Sequence, residues 1–119
     1  MKGCIACHSG PAVGGSMYQK FGLVNPPKNR DANLGRYEVT KNPADKYVFK
    51  VPSLRNVELT YPYFHDGSVW DLKEAVKIMG KTQLGVDLSK TEQEDIVAFL
   101  KTLTGKLPDI EYPQLPPST

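Results

Sequence analysis

Five residues near the start of the chain, Cys4-Ile5-Ala6-Cys7-His8, constrain this sequence more than any other feature. They have the form C-x-x-C-H, which is the attachment pattern of a c-type haem. Each of the two thiols can form a thioether with one haem vinyl group, and the adjacent imidazole can bind the iron. Cys4 and Cys7 are the only cysteines in the sequence. The motif therefore predicts one covalently attached haem c, with His8 as an axial ligand.

Three other interpretations of these residues are weaker. A thioredoxin-like dithiol needs a βαβ context, and no such pattern follows Cys7. A zinc site made of Cys4, Cys7, His8 and His65 is allowed by count alone, but the adjacency of Cys7 and His8 suits tetrahedral zinc poorly. The third alternative is a chance match with a structural disulfide.

The composition suits one small domain. The chain has 119 residues with 10 Gly and 10 Pro, which indicates many turns around a small core. The formal net charge is only +2, and no basic block with interleaved aromatic residues predicts nucleic-acid binding. No apolar run is long enough to predict a membrane span. Because haem attachment of this kind occurs outside the bacterial cytoplasm, we expect a periplasmic protein whose leader lies outside this sequence or has been removed.

Two helices are predicted in the second half of the chain. The first follows a Ser68-x-x-Asp71 capping box and ends at Gly80. The second begins at Ser89 or Thr91 and ends at Gly105. The apolar residues of the two helices recur at helical spacing: Leu72, Ala75, Val76 and Met79 in the first, and Ile96, Phe99, Leu100 and Leu103 in the second.

The rest of the chain has weaker patterns. We expect a short helix over residues 16–21, a loop over residues 22–48 that wraps a haem edge, and a weak strand over residues 47–51 that stops at Pro52. Residues 106–119 contain four prolines and predict an extended tail. The predicted organisation is a cytochrome c domain over residues 1–105, followed by this tail.

The predicted fold class is all-α, a class I cytochrome c-like haem domain with long loops. Such domains usually have an amphipathic helix that leads into the haem motif, and here only Met1-Lys2-Gly3 precede it. We therefore expect that helix to be lacking and the apolar stripe of the last helix to be exposed. An upstream segment, the tail or a homodimer could cover such a stripe.

The second axial ligand can be narrowed by elimination. Met1 is too close to the terminus, and Met17 follows His8 by only nine residues, so that a tight loop would have to pass around the porphyrin. Met79 lies on the apolar face of a predicted helix, well separated from the motif, and is the favoured ligand. His65 and an open iron site remain alternatives. A His/Met pair raises the reduction potential relative to His/His and favours electron transfer.

Several separate motifs together resemble the C-terminal haem domain of bacterial dihaem cytochrome c peroxidases. The Pro-x-Leu-Arg-Asn-Val and Tyr-Phe-His-Asp-Gly elements also resemble relatives that modify protein tryptophans. The matching stretches are residues 3–21, Val51–Val57, Tyr63–Ser68, Met79-Gly80 and the helix from Ile96 to Gly105.

The resemblance implies a role for each matching position. Cys4 and Cys7 would hold the high-potential, electron-accepting haem, and His8 and Met79 would be its axial ligands. The carbonyls of Thr60 and Pro62 would help to bind a calcium ion between two domains. The resemblance also places Arg55 and His65 near the haem propionates. From the residues alone, Arg55 could equally brace a loop, and His65 could equally bond to backbone.

The resemblance also implies partners. These are a small redox protein, a cytochrome or a cupredoxin, as electron donor, and an N-terminal peroxidatic haem domain as acceptor. That second domain, with its own C-x-x-C-H motif and catalytic acid, is not in this sequence. We therefore expect a haem electron-transfer domain that has no catalytic residues and no peroxidase activity by itself. The alternative is a peroxidase that acts as part of a longer or multi-chain enzyme.

Overall fold

The computed structural model describes residues 3–28 and 32–118. Most of the regular structure lies in two long helices of the second half, and the first half consists mainly of loops. The helices are α1 (Tyr37–Thr40), α2 (Leu72–Leu84) and α3 (Lys90–Thr102), and the strands are β1 (Tyr18–Lys20) and β2 (Val48–Lys50). Three short 3-10 turns complete the structure: Cys4–Ala6, Pro43–Asp45 and Val57–Leu59. None of the helices in these two ranges has the length and apolar character needed to cross a membrane.

Helix α2 differs at both ends from the sequence prediction. Asp71, rather than Ser68, is its N-cap, and its carboxylate accepts hydrogen bonds from the backbone of Lys73 and Glu74. The helix also continues past Gly80 and ends at Gly85, which has the left-handed conformation of a C-cap. Gly80 is required for packing, because a Cβ there would lie 2.8 Å from Leu88 Cδ1.

Helix α3 begins as predicted. The Ser89 hydroxyl accepts a hydrogen bond from the Glu92 backbone at 3.2 Å, and the Glu92 carboxylate accepts one from the Ser89 backbone at 2.9 Å. This reciprocal pair is a capping box, so Ser89 and not Thr91 starts the helix. The helix ends at Thr102, three residues before the predicted Gly105.

The core lies where α2 packs on α3. Val76, Leu88 and Leu100 are buried together. Partly buried apolar side chains surround them, namely Leu54, Val57, Leu72, Val86, Ile96, Val97 and Leu103. The expectation that the apolar stripe of α3 would be exposed is therefore wrong for most of its residues, since Leu100 is buried and Ile96, Val97 and Leu103 are partly buried in this cluster. Phe99 is the member of the stripe that stays mostly exposed, at 56%.

A two-stranded antiparallel sheet adds β-structure to the expected all-α fold. Tyr18 pairs with Lys50 and Lys20 pairs with Val48. The weak strand before Pro52 is thus confirmed, whereas the helix predicted over residues 16–21 is wrong. The backbone N–H of Phe21 donates to the Tyr47 carbonyl at 2.8 Å and prolongs the pairing. Such pairing depends on a partner far away in the sequence, which local patterns do not reveal.

The two other irregular regions agree broadly with expectation. The predicted loop over residues 22–48 contains only α1 and the 3-10 turn Pro43–Asp45 before β2, and its residues 29–31 lie outside the described residues. Residues 106–118 form no helix or strand, and their side chains are exposed. The division into a domain and a tail, like the lack of a leading helix, stays a prediction.

Candidate haem site

The C-x-x-C-H motif forms one tight turn. The Cys4 carbonyl accepts hydrogen bonds from the backbone N–H of Cys7 at 3.2 Å and of His8 at 2.9 Å. Both cysteines are free thiols, with Cys4 exposed and Cys7 half-buried. Cys4 and Cys7 thus form no disulfide in the structure, which contradicts the structural-disulfide alternative. The turn presents two thiols and an imidazole within one short segment, as haem attachment requires.

The His8 ring packs against a backbone crossing made by Gly14 and Pro52. Gly14 has a φ of 125°, and a Cβ on it would overlap the Pro52 carbonyl oxygen and lie 3.1 Å from His8 Nδ1. The neighbouring Gly15 N–H donates to the Val51 carbonyl at 2.9 Å and holds the crossing together. A side chain at position 14 therefore has no space.

The environment of His8 suits an imidazole that binds iron. Its Nδ1 is buried and makes no well-formed hydrogen bond within the described part of the chain. Burial lowers the pKa of His8, while the backbones of Val13 and Pro52 act in the opposite direction. A neutral imidazole is the form that ligates metals. Because Nδ1 faces the backbone, Nε2 is the nitrogen left for the iron, and the residues present therefore fit a haem.

A second set of contacts braces the loop after the motif. The Arg55 Nε donates to the Pro11 carbonyl at 2.6 Å, and the Ser53 hydroxyl donates to the Ala12 carbonyl at 2.5 Å. These bonds join residues 53–55 to the segment directly after His8. Arg55 therefore has the loop-bracing contact that was one of its two expected roles, and a role toward a propionate stays a prediction.

His65 belongs to an aromatic cluster. Its ring stacks on Phe49 with centroids 4.1 Å apart and meets Phe21 edge-on at 5.7 Å. Phe21 in turn contacts Phe64 at 5.4 Å. The side chain of His65 is otherwise exposed. Its place near the haem propionates, and the alternative of iron ligation, stay predictions.

The two candidate methionines lie in different elements. Met79 is half-buried within α2, directly before the buried Gly80. Met17 is half-buried just before β1, and its carbonyl accepts the Val51 N–H at 2.9 Å. Met17 is thus held next to the sheet by its backbone. The choice of Met79 as axial ligand stays a prediction.

Thr60 and Pro62 lie in an exposed segment after the 3-10 turn Val57–Leu59. The neighbouring Tyr63 is buried and anchors the segment, because its hydroxyl donates to the Val57 carbonyl at 2.9 Å. Burial, with smaller effects from Glu58, Asp71 and Tyr61, raises the pKa of Tyr63 and keeps this hydroxyl protonated. In the described ranges no three His, Cys, Asp or Glu residues group as a metal site. Calcium binding through the two carbonyls stays a prediction.

Gly14 and Pro52 were not among the predicted site residues. The Gly14-Gly15 doublet indicated a turn, but nothing local showed that Pro52 crosses it. The signal that could have found them is indirect: two adjacent glycines in the loop that follows a ligand motif allow a close backbone approach.

The profile of the cytochrome c family matches residues 1–104. The chain belongs to the cytochrome c family. Membership implies a covalently bound haem c, which agrees with the free thiols of the turn and with the seat of His8.

Curated relatives give a closer assignment. The chain is 58% identical to the cytochrome c551 peroxidase of Nitrosomonas europaea and 54% identical to that of Pseudomonas aeruginosa, in each case over 98% of this chain. It is 46% identical to the cytochrome c peroxidase Ccp of Escherichia coli over 86% of this chain. The chain spans 35%, 35% and 23% of these relatives, respectively. The matched part is their C-terminal portion.

A solved structure supports the same assignment. A MauG-like protein associated with microbial copper homeostasis superposes with a TM-score of 0.76 and 28% identity, covering 88% of this chain and 43% of that one. The resemblance to the C-terminal domain of bacterial cytochrome c peroxidases is therefore confirmed. The chain is a haem electron-transfer domain of the cytochrome c type.

Covalent attachment gives a first prediction. We expect the haem to stay with the chain after acid–acetone extraction, because a thioether does not break under these conditions. Extraction of a Cys4→Ala/Cys7→Ala double variant should instead release any haem it holds. Absorbance of the two phases in the Soret region measures the partition. Free haem in the organic phase from the unmodified chain would contradict covalent attachment.

Proposed function

We propose that this chain is the electron-accepting haem domain of a periplasmic, cytochrome c peroxidase-type protein. It would take electrons from a small cytochrome or cupredoxin and pass them to a peroxidatic haem in an N-terminal domain. The observation that carries the proposal is the identity of 54–58% with two cytochrome c551 peroxidases over 98% of this chain. The C-x-x-C-H motif supports the proposed periplasmic location, because haem of this kind is attached outside the bacterial cytoplasm.

Four residues would hold the haem. Cys4 and Cys7 would form the thioethers, and His8 and Met79 would ligate the iron. The haem supplies a reversible one-electron iron couple when bound. Burial keeps the His8 imidazole neutral, and a His/Met pair sets a high potential. In this proposal these four residues would bind and tune an electron carrier.

The remaining predicted residues have supporting roles in this proposal. Arg55 would lie near a propionate while its Nε bonds to the Pro11 carbonyl, since a guanidinium has five N–H donors in total. His65 would face the same edge from the Phe21 and Phe49 cluster. Thr60 and Pro62 would contribute carbonyls to a calcium site that the N-terminal domain completes.

Peroxide turnover by the 119-residue haem protein tests the proposal. We expect oxidation of a reduced cytochrome by hydrogen peroxide to stay at the level of a heat-denatured control, because a six-coordinate iron offers peroxide no site. The same protein should still exchange electrons rapidly with the reduced cytochrome in a stopped-flow experiment without peroxide.

A Met79→Gly variant is the matched control, because it opens one axial position and leaves the thioethers intact. It should react with peroxide faster than the unmodified chain. Rapid peroxide turnover by the unmodified chain that remains after further purification would instead favour the alternative function, a peroxidase that uses this haem directly.

A further inference from the structure

The end of α2 is tied to a loop from the first half of the chain, residues 20–25, here called the clamp loop. The Gln83 side chain makes three of these connections. Its Oε1 accepts hydrogen bonds from the backbone N–H of Gly22 at 2.5 Å and of Leu23 at 3.3 Å. Its Nε2 donates to the Lys20 carbonyl at 2.9 Å. The amide therefore bonds to three residues of the clamp loop, Lys20, Gly22 and Leu23.

Backbone groups of the last helical turn extend the same connection. The Thr82 carbonyl accepts the N–H groups of Val24 and Asn25, each at 3.0 Å. The Asn25 amide donates to the Lys81 carbonyl at 2.9 Å. Carbonyls in the last turn of a helix have no intrahelical partner and need one from elsewhere. The clamp loop supplies that partner and is thus fixed to the end of α2.

Val24 also packs on the residue that ends the helix. Gly85 has a φ of 68°, and a Cβ there would lie 2.8 Å from Val24 Cγ1. The helix end and the clamp loop therefore meet without a gap. Neither can shift relative to the other unless several hydrogen bonds break.

Met79 and Gln83 are four residues apart in α2, so they occupy the same face of the helix. The buried Ala75 lies one turn earlier on that face. The clamp loop, which Gln83 holds, is consequently fixed alongside the face that carries Met79. Both side chains are half-buried there.

We infer that Gln83 is a positioning residue for Met79. By fixing the clamp loop to the helix end, it holds α2 in the place from which the thioether reaches the iron, and so determines how readily the thioether leaves. The inference rests on the proposed ligation by Met79. Three hydrogen bonds depend on Gln83, so its loss should increase the population with a released thioether about tenfold or more.

Imidazole affinity of the oxidised protein measures this release, because imidazole binds iron only when the thioether has left. We expect Gln83→Ala to bind imidazole about tenfold more tightly than the unmodified chain. The far-red sulfur-to-iron band should disappear at correspondingly lower imidazole concentrations. Gln93→Ala is the matched control, since Gln93 donates one hydrogen bond to the Leu88 carbonyl at 2.8 Å from helix α3. It should lower thermal stability but leave imidazole affinity within about twofold.

Gln83→Glu keeps the inference testable if the alanine variant does not fold. Its carboxylate still accepts hydrogen bonds from Gly22 and Leu23 but cannot donate to the Lys20 carbonyl. Its imidazole affinity should therefore lie between those of the unmodified chain and Gln83→Ala. Two results would overturn the positioning role in a protein that shows the far-red band: unchanged imidazole affinity in both Gln83 variants, or equal changes of affinity in Gln83→Ala and Gln93→Ala. A band that survives Met79→Ala would instead refute the ligation by Met79, and the inference with it.

Discussion

Replacing Gly14 by alanine should strongly destabilise this domain and displace His8 from its seat. A Cβ at this position overlaps the Pro52 carbonyl oxygen and crowds His8 Nδ1 at 3.1 Å. The φ of 125° adds strain, because side-chain-bearing residues rarely adopt it. Together these effects should cost about 3–5 kcal/mol of unfolding free energy. That is a large share of the roughly 5–15 kcal/mol available to a domain.

Guanidinium denaturation, followed by far-UV circular dichroism and by Soret absorbance, measures the cost. A Gly10→Ala variant separates the effect of backbone strain from that of steric overlap. Gly10 also has a positive φ, 78°, but a Cβ there has no neighbour within 4 Å. We expect Gly10→Ala to cost about 1–2 kcal/mol and to leave the Soret spectrum unchanged. Equal costs for the two variants would show that the crossing at Gly14 and Pro52 does not seat His8.

The parts of the fold that the sequence predicts correctly are those that depend on neighbours along the chain. The capping box of Ser89 and Glu92 needs only residues three apart, and the structure contains it. The haem motif is equally local, and the matching cytochrome c family supports it. Helix periodicity also identified most of the α2 and α3 residues in the core cluster, namely Leu72, Val76, Ile96, Leu100 and Leu103, although it wrongly included Phe99.

The sequence predictions are wrong where residues far apart in the chain determine the local structure. Glycine often ends a helix, and the sequence therefore predicts an end at Gly80. In the structure Gly80 instead leaves room for Leu88 inside the helix, which continues to Leu84. Tyr18–Lys20 forms a strand because β2 pairs with it. Gln83 shows no sequence signal, since its partners at residues 20–23 become neighbours only in the folded chain.

Changing Met79 to histidine should markedly lower the reduction potential while keeping the iron six-coordinate. A thioether favours ferrous iron relative to a second imidazole, so a His/Met pair has the higher potential. Axial ligands span about 0.8 V in haem proteins, and we expect a fall on the order of 0.1–0.3 V. Spectroelectrochemical titration measures it. The sulfur-to-iron band of the oxidised protein in the far red should vanish in the same variant.

Met17→Leu is the matched control, because Met17 is half-buried like Met79. Unlike Met79, it lies beside the sheet, where its carbonyl accepts a hydrogen bond from the Val51 N–H. Leucine preserves the volume and apolar character of the side chain. We therefore expect the far-red band and the potential of Met17→Leu to match those of the unmodified chain. His65→Gln tests the other candidate in the same way and should also keep the band. If the band instead disappears in Met17→Leu and persists in Met79→His, then Met17 is the sulfur ligand, and the loop between His8 and β1 must pass around the porphyrin edge.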